Sequence, residues 1–229
     1  MEQLPNGYTL NICDGAFPLS TDSMVLSHFV KLPKQAKVLD LGAGCGTLGL
    51  LLCACDFGCH VTGIELTETA HAAAQENIHQ NLLDARMESI CADLRTLPTQ
   101  FNGRFDICVS NPPYFSGGPA SQTLPTARRE DCCTAADLFN SAGKALKYGG
   151  DFYLVHRPER LAELIARGAE VGLEAKRLRF LRHREDQAFS LILLQFRKGG
   201  KAGLIIDEAS LFDKNGNHTP YYREVYHIE

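Results

Sequence analysis

The chain has 229 residues, 45% of them hydrophobic and 22% charged, with a net charge of −4 and a pI near 6.1. That is enough for one large α/β domain and too little for two full-sized ones, and the charge excludes capture of nucleic acid by bulk positive potential. No apolar run reaches the ~20 residues of a membrane span, and Met1-Glu2-Gln3-Leu4-Pro5 has neither the basic nor the apolar part of a signal peptide, so a cytoplasmic, membrane-free protein is expected.

In chain order, Thr21 to Lys31 predicts a helix capped by Ser20 or Thr21, with Met24, Val25, Leu26, Phe29 and Val30 as its apolar side. Lys37 to Leu41 reads as a short buried strand, Gly42 to Gly46 as a glycine-rich turn, and Thr47 to Phe57 as an apolar helix. His60 to Glu65 is the second strand. A helix follows from Thr67 to Asn81, then strands at Arg86–Ala92 and Arg104–Ser110. After a long loop come a helix over Ala135–Lys147, ended by Gly149-Gly150, a strand over Asp151–His156 and a helix over Pro158–Val171. Glu174–Arg182 and Ala188–Arg197 close the series as two long strands with no helix between them, and Asn215-Gly216 signals a hairpin in the tail. Alternating strands and helices imply a doubly wound, mostly parallel α/β sheet. Seven strands are expected, with an antiparallel edge hairpin and a short C-terminal hairpin tail. The whole reads as a single domain over 1–229: an N-terminal segment 1–36, a core sheet 37–198 and a tail 199–229.

Nine cysteines are present, and no C-x-x-C pair occurs among them. Cys53, Cys55, Cys91 and Cys108 sit in apolar segments and read as small buried hydrophobes. Cys53, Cys55, Cys59 and His60 are close in sequence but span a helix and a strand entry, so no metal site is expected.

Asp40-x-Gly42-x-Gly44-x-Gly46 follows a buried strand and opens a helix. Glycines there allow a tight turn and close approach of a ligand. Glu65 ends the next strand, 19 residues after Gly46, where a carboxylate can accept from both hydroxyls of a ribose. Gly44-x-Gly46-x-x-Gly49 also satisfies the dinucleotide pattern, which alone is weak. Asp40 discriminates: a carboxylate beside the turn repels a pyrophosphate and suits the ammonium and sulfonium of S-adenosylmethionine. Asp93, after the third strand, can accept from an adenine amino group.

Asn111-Pro112-Pro113-Tyr114 follows the fourth strand at once. Prolines cannot continue a central ladder, and the residue before each is pushed to extended backbone. The result is a stiff peptide with outward carbonyls. A conjugated amino nitrogen is a poor nucleophile because its lone pair is delocalised. The Asn111 side-chain oxygen and the Pro112 carbonyl can hold its two hydrogens and aim the lone pair at a methyl group, so that rate comes from positioning and preorganised acceptors. Tyr114 can stack on the planar acceptor.

These motifs, in this order and spacing, resemble a class I (Rossmann-like) amino methyltransferase, and most closely the bacterial tRNA (valine) adenine-N6 methyltransferase family. The similarity extends to Phe17-Pro-Leu-Ser-Thr-Asp22-Ser-Met-Val-Leu26, to Ala127-Arg128-Arg129-Glu130, to His156-Arg157-Pro158-Glu159-Arg160-Leu161, and to the tail ending Glu224-Val225-Tyr226. The resemblance implies that Gly42, Gly44, Glu65 and Asp93 hold S-adenosylmethionine, with Asp22, Asp40, Gly46, Leu66, Leu94 and Asn111 beside them. It implies Asn111, Pro112 and Tyr114 as the catalytic set, and Pro113, Tyr114, Phe115, Arg128 and Arg129 against the substrate. Arg129 departs from the family, where a histidine is expected. The implied partner is tRNA; a monomer without metal is expected.

Lys176, Arg177, Arg179, Arg182 and Arg184 fall within nine residues. They form either a phosphate grip or a solvated face with nearby acids. Alternatives to the tRNA reading are methylation of rRNA guanine N2, DNA adenine N6 or a protein glutamine amide. An NAD-dependent oxidoreductase and a non-catalytic RNA-binding module are rivals from other classes. The glutamine reading is disfavoured because about 36 residues precede the first core strand, too few for the extra helical domain such enzymes carry.

Overall fold

The computed structural model describes residues 2–4, 7–13, 19–112 and 133–228. A small antiparallel pair, β1 (Glu2–Gln3) and β2 (Thr9–Leu10), precedes α1 (Thr21–Phe29). Then follow β3 (Lys37–Leu41), α2 (Thr47–Cys55), β4 (His60–Glu65), α3 (Glu68–Gln80), β5 (Met87–Cys91) and β6 (Phe105–Ser110). The second half is α4 (Ala135–Ala145), β7 (Leu146–His156), α5 (Leu161–Glu170), β8 (Leu173–Arg184), β9 (Leu191–Lys198), β10 (Ile205–Phe212) and α6 (Pro220–Tyr226).

One sheet holds eight of these strands in the order β10-β8-β9-β7-β6-β3-β4-β5. From β7 to β5 all neighbours are parallel, and β9 is antiparallel to both β7 and β8. The expected α/β sheet and its antiparallel hairpin are therefore present. The strand count is eight, not seven, because the tail strand β10 joins the sheet, parallel to β8. The expected C-terminal hairpin is reduced to an isolated bridge, Phe212 to His218, after which the chain turns into α6. Proline at the start of α6 and the Thr219 cap favour that helix over a returning strand. The helix before β7 ends at Ala145, and Gly149-Gly150 lie inside the strand, at an irregular register with β6.

Residues alternate between the two faces of the sheet. Val38, Val61, Ile107, Val109, Tyr153, Val155 and Leu193 pack under α1, α2 and α3. Leu39, Leu41, Cys108, Phe152, Leu154, Ile192, Leu194 and Phe196 pack under α4 and α5. Phe139 of α4 meets Phe152 and Phe196 edge-on, with centroids 5.3 and 5.1 Å apart, a favoured aromatic geometry. α2 is apolar on every side and buried accordingly. Cys53 and Cys108 are buried as expected, whereas Cys55 and Cys91 are exposed; the first ends α2, the second ends the edge strand β5.

The N-terminal strap is fixed by α3. Asn77, fully buried, accepts from the Asn11 N–H at 2.7 Å and donates to the Asn11 carbonyl at 2.8 Å. The same amide donates to the Cys45 carbonyl in the glycine turn at 2.9 Å. One side chain thus couples strap, helix and turn. Asn77→Ala leaves these buried groups unpaired and is expected to lower unfolding free energy by about 2–4 kcal/mol, read from urea denaturation of the free protein.

Candidate active site

Strand order reverses between β3 and β6, since β4 and β5 lie to one side and β6 and β7 to the other. In open parallel sheets that switch point opens a crevice at the carboxyl ends of the strands. Gly42, Leu66, Asp93 and Asn111 follow the carboxyl ends of β3, β4, β5 and β6, and Glu65 is the last residue of β4.

β3 ends in the glycine turn. Gly42, Gly44 and Gly46 all have positive φ, at +81°, +56° and +85°, a region closed to most side chains. The Gly42 and Ala43 N–H groups both donate to the Ile64 carbonyl at 3.0 Å, folding the turn onto β4. Glu65, at the end of β4, accepts from the Gly44 N–H at 2.9 Å through Oε2. Its Oε1 accepts from Thr67 N and Oγ1 at 2.9 and 2.8 Å. The carboxylate is thereby aimed along the turn, and Oε2 keeps a free lone pair.

Asp40 is 2% exposed, and its Oδ2 is fully enclosed with no hydrogen-bond partner among the described residues. Burial, with the nearby Glu65 carboxylate second, pushes its carboxyl up from 3.8 to about 7. An enclosed acid oxygen without a donor, beside a left-handed glycine turn and an oriented carboxylate, fits a cationic ligand carrying vicinal hydroxyls. Two acids within electrostatic reach of one another suit a pyrophosphate poorly.

Asp93 lies two residues past β5 and caps a single 3-10 turn, Leu94–Thr96. Both of its oxygens accept from Arg95, which holds its carboxyl below the usual range. Leu94 packs against the α4–α5 side core, and Leu66 is exposed at the end of β4.

β6 stops at Ser110, whose hydroxyl donates to the Leu41 carbonyl at 2.7 Å. Asn111 and a buried Pro112 follow. Asn111 Nδ2 donates to Ser23 Oγ of α1 at 3.0 Å. Asp22 sits in the first turn of α1, its carboxyl raised by burial against the opposing pull of Arg157. Arg157 leaves the end of β7 and donates to the Ser190 carbonyl at 3.2 Å. His156 beside it is buried, which together with Arg160 depresses its ring to about 4. The expected residues Pro113, Tyr114, Phe115, Arg128 and Arg129 lie outside the described residues. Ser23 has no sequence signal beyond the capping pattern it belongs to, so its contact with a residue 88 positions away was not expected.

The cationic run on β8 is engaged elsewhere. Arg179 forms a forked ion pair with Asp207 at 2.6 and 2.7 Å, and Arg182 pairs with Glu208 at 2.8 Å. Arg184 pairs with Asp186, Arg177 covers the Phe29 ring, and Lys176 donates to the Lys201 carbonyl. Of the five cations, Arg179, Arg182 and Arg184 are neutralised by nearby acids.

Among the described residues no helix is long and apolar enough to cross a membrane, and no cluster of three metal-ligating side chains occurs.

A family model described as methyltransferase small domain matches residues 19–167. A tRNA1(Val) (adenine(37)-N6)-methyltransferase of Shewanella sp. (strain MR-4) is 28% identical over 206 residues, covering 88% of this chain and 87% of its own. Among solved structures, a predicted O-methyltransferase from Agrobacterium tumefaciens aligns with a TM-score of 0.75 at 20% identity, over 91% of this chain and 96% of its own. A geranyl diphosphate C-methyltransferase from Streptomyces coelicolor, in complex with S-adenosyl-L-homocysteine, aligns at 0.59 and 12% identity, over 77% and 76%.

The Asp40 geometry sets a pH dependence. Its folded pKa is above its ordinary value, so the folded state holds the proton more tightly and this group destabilises the fold as pH rises from about 4 to about 7. The ceiling is roughly 4 kcal/mol, at about 1.4 kcal/mol per pH unit across that window. Asp40→Asn is expected to match the parent below pH 4 and to be the more stable by up to that amount at pH 8, as read from denaturation of the ligand-free protein at both ends.

Proposed function

The chain belongs to the methyltransferase small domain family and is an S-adenosylmethionine-dependent methyltransferase; from that premise we propose that its acceptor is the exocyclic N6 amine of an adenine in a tRNA anticodon loop. The observation that carries the reading is the placement of Asn111-Pro112. The pair follows β6 directly and is locked to the level of the glycine turn by the bond from Ser110 to Leu41. The relatives named as tRNA1(Val) adenine-N6 methyltransferases support the nucleic-acid class of the acceptor.

The donor supplies an electrophilic methyl group on a sulfonium. Glu65 would hold its ribose hydroxyls and the Gly42–Gly46 turn would follow its chain, while Asp40 sets a negative potential under the positive end. Asp93 would take the adenine amino group of the donor, with Leu66 and Leu94 beside it and Asp22 at the border. Asn111 Oδ1 and the Pro112 carbonyl would accept the two hydrogens of the acceptor amine. Holding both hydrogens away from the incoming methyl turns the nitrogen lone pair toward it. Charge then develops on a nitrogen whose hydrogens already point at two fixed acceptors, which is the condition for electrostatic stabilisation. No tuned general base is needed, because the proton leaves after the transfer. A loop adenine gives up little pairing energy when it is turned out of its stack. On the same reading, Pro113, Tyr114, Phe115, Arg128 and Arg129 complete the acceptor pocket, and the enzyme works as a monomer in the cytoplasm.

Incubation with labelled S-adenosylmethionine and unmodified tRNA, followed by nucleoside analysis, is expected to give N6-methyladenosine; label in protein with none in RNA overturns the reading. Asn111→Ala is expected to lower turnover by at least a hundredfold, on the scale of losing one preorganised acceptor, while donor affinity measured by calorimetry stays within about threefold. Glu65→Ala is expected to do the reverse, weakening donor binding by tenfold or more, on the scale of a charge-assisted hydrogen bond.

A further inference from the structure

We propose that Ser23 is a positioning residue for methyl transfer: it fixes which end of the Asn111 carboxamide faces the acceptor. The inference rests on Asn111 being the amine holder. A carboxamide presents either an acceptor oxygen or a donor NH2, and the two orientations have nearly the same shape. Only one of them is useful here. With the oxygen toward the acceptor amine, its hydrogens are held. With the NH2 turned toward it, donor faces donor and the amine is pushed away. Something must therefore decide the orientation before the acceptor arrives.

Ser23 Oγ lies 3.0 Å from Asn111 Nδ2. A hydroxyl can accept or donate, so this contact alone is not decisive. The surroundings of Ser23 favour its accepting role. Ser23 is 6% exposed, which keeps water from competing. Ser20 Oγ lies 3.4 Å from Ser23 Oγ and can take the Ser23 hydroxyl hydrogen, while the Ser23 oxygen accepts from Asn111 Nδ2. Ser20 itself is held as the cap of α1, accepting from the Ser23 backbone N–H at 3.3 Å. The polarity thus runs from Asn111 through Ser23 to Ser20, and it leaves Asn111 Oδ1 as the end that faces away from α1. The first turn of α1, though it lies outside the core sheet, becomes part of the catalytic apparatus.

The cap bond uses the backbone of residue 23, so Ser23→Ala keeps the helix start. The assay uses the full chain, in vitro transcribed tRNA and S-adenosylmethionine. Ser23→Ala is expected to lower kcat about ten- to a hundredfold, with KM for tRNA and donor Kd each within about twofold. Ser23→Thr, which keeps the hydroxyl, is expected to recover most of the loss. A second readout is independent of turnover. The Asn111 side-chain amide resonance, assigned by its absence in Asn111→Ala, should shift in Ser23→Ala while resonances of the β8–β10 edge stay in place. A kcat within twofold of the parent, or an unmoved Asn111 amide signal, overturns the proposal, as does a fall in kcat matched by loss of donor affinity. If Asn111→Ala itself keeps full turnover, the underlying reading of Asn111 fails instead, and the two failures are told apart by that variant.

Discussion

The crevice exists because β3 and β6 must stop at the same level. β3 stops because Gly42 turns into the left-handed region, where a strand cannot continue. β6 stops because Pro112 has no N–H to give a neighbour. Their ends are then tied by the hydroxyl of Ser110 on the carbonyl of Leu41. Were either strand to run on by two residues, the glycine turn and Asn111 would sit at different heights, and a ligand on one would be out of reach of the other. The remaining parts are supports for this level. β4 brings Glu65 under the turn, α3 holds the strap and the turn together through Asn77, and the first turn of α1 meets Asn111 from above.

Asp40 is the clearest conflict between folding and function. An enclosed carboxyl oxygen with no donor costs free energy in any fold, and an isosteric amide or an apolar residue at that strand position would pack without it. A positive charge brought next to it would relieve that cost. Such a group is most useful when it is buried, since low dielectric strengthens its pull on the cation. Burial also raises its pKa when it is alone. The same burial that penalises the free fold would strengthen attraction for a cation, and the neighbouring Glu65, which adds to the penalty, would add to that attraction as well.

The legible parts of the sequence are those where local chemistry forces a residue type. Gly42, Gly44 and Gly46 are forced by backbone sign, Glu65 by its place at a strand end, and Asn111-Pro112 by the need to end a ladder and expose acceptors. The sheet was legible for the same reason: its strands are short apolar runs set between capped helices. What could not be read depends on partners far along the chain. Asn77 looks like an ordinary polar residue on an amphipathic helix, and only folding brings it to Asn11 and Cys45, 66 and 32 positions away. Ser23 reads as part of a helix cap. β10 reads only as an arm of a tail hairpin because Asn215-Gly216 signals a local turn, whereas its pairing is with β8, where Ile205 meets Arg177, 28 positions back. Gly149-Gly150 ended the wrong element because a glycine pair punctuates a bulged strand as readily as a helix.

The cationic run on β8 shows why a charge pattern stays open between two readings until its partner strand is known. Five cations in nine residues invite a phosphate-binding interpretation. Yet Asp207 on β10 is the register partner of Arg179, and the pair is forked. Arg182 reaches Glu208 on the same strand. β10 is an edge strand with few buried side chains of its own, so apolar burial contributes little to holding it in place. Ion pairs, individually weak at a surface, act here together with backbone ladder bonds along one strand and set its register. Phosphates approaching Arg179, Arg182 or Arg184 would meet cations already paired with acids, at the cost of breaking those pairs. At the other end of the sheet Arg157, past the end of β7, is likewise engaged, with the Ser190 carbonyl and with the Asp22 carboxyl within electrostatic reach.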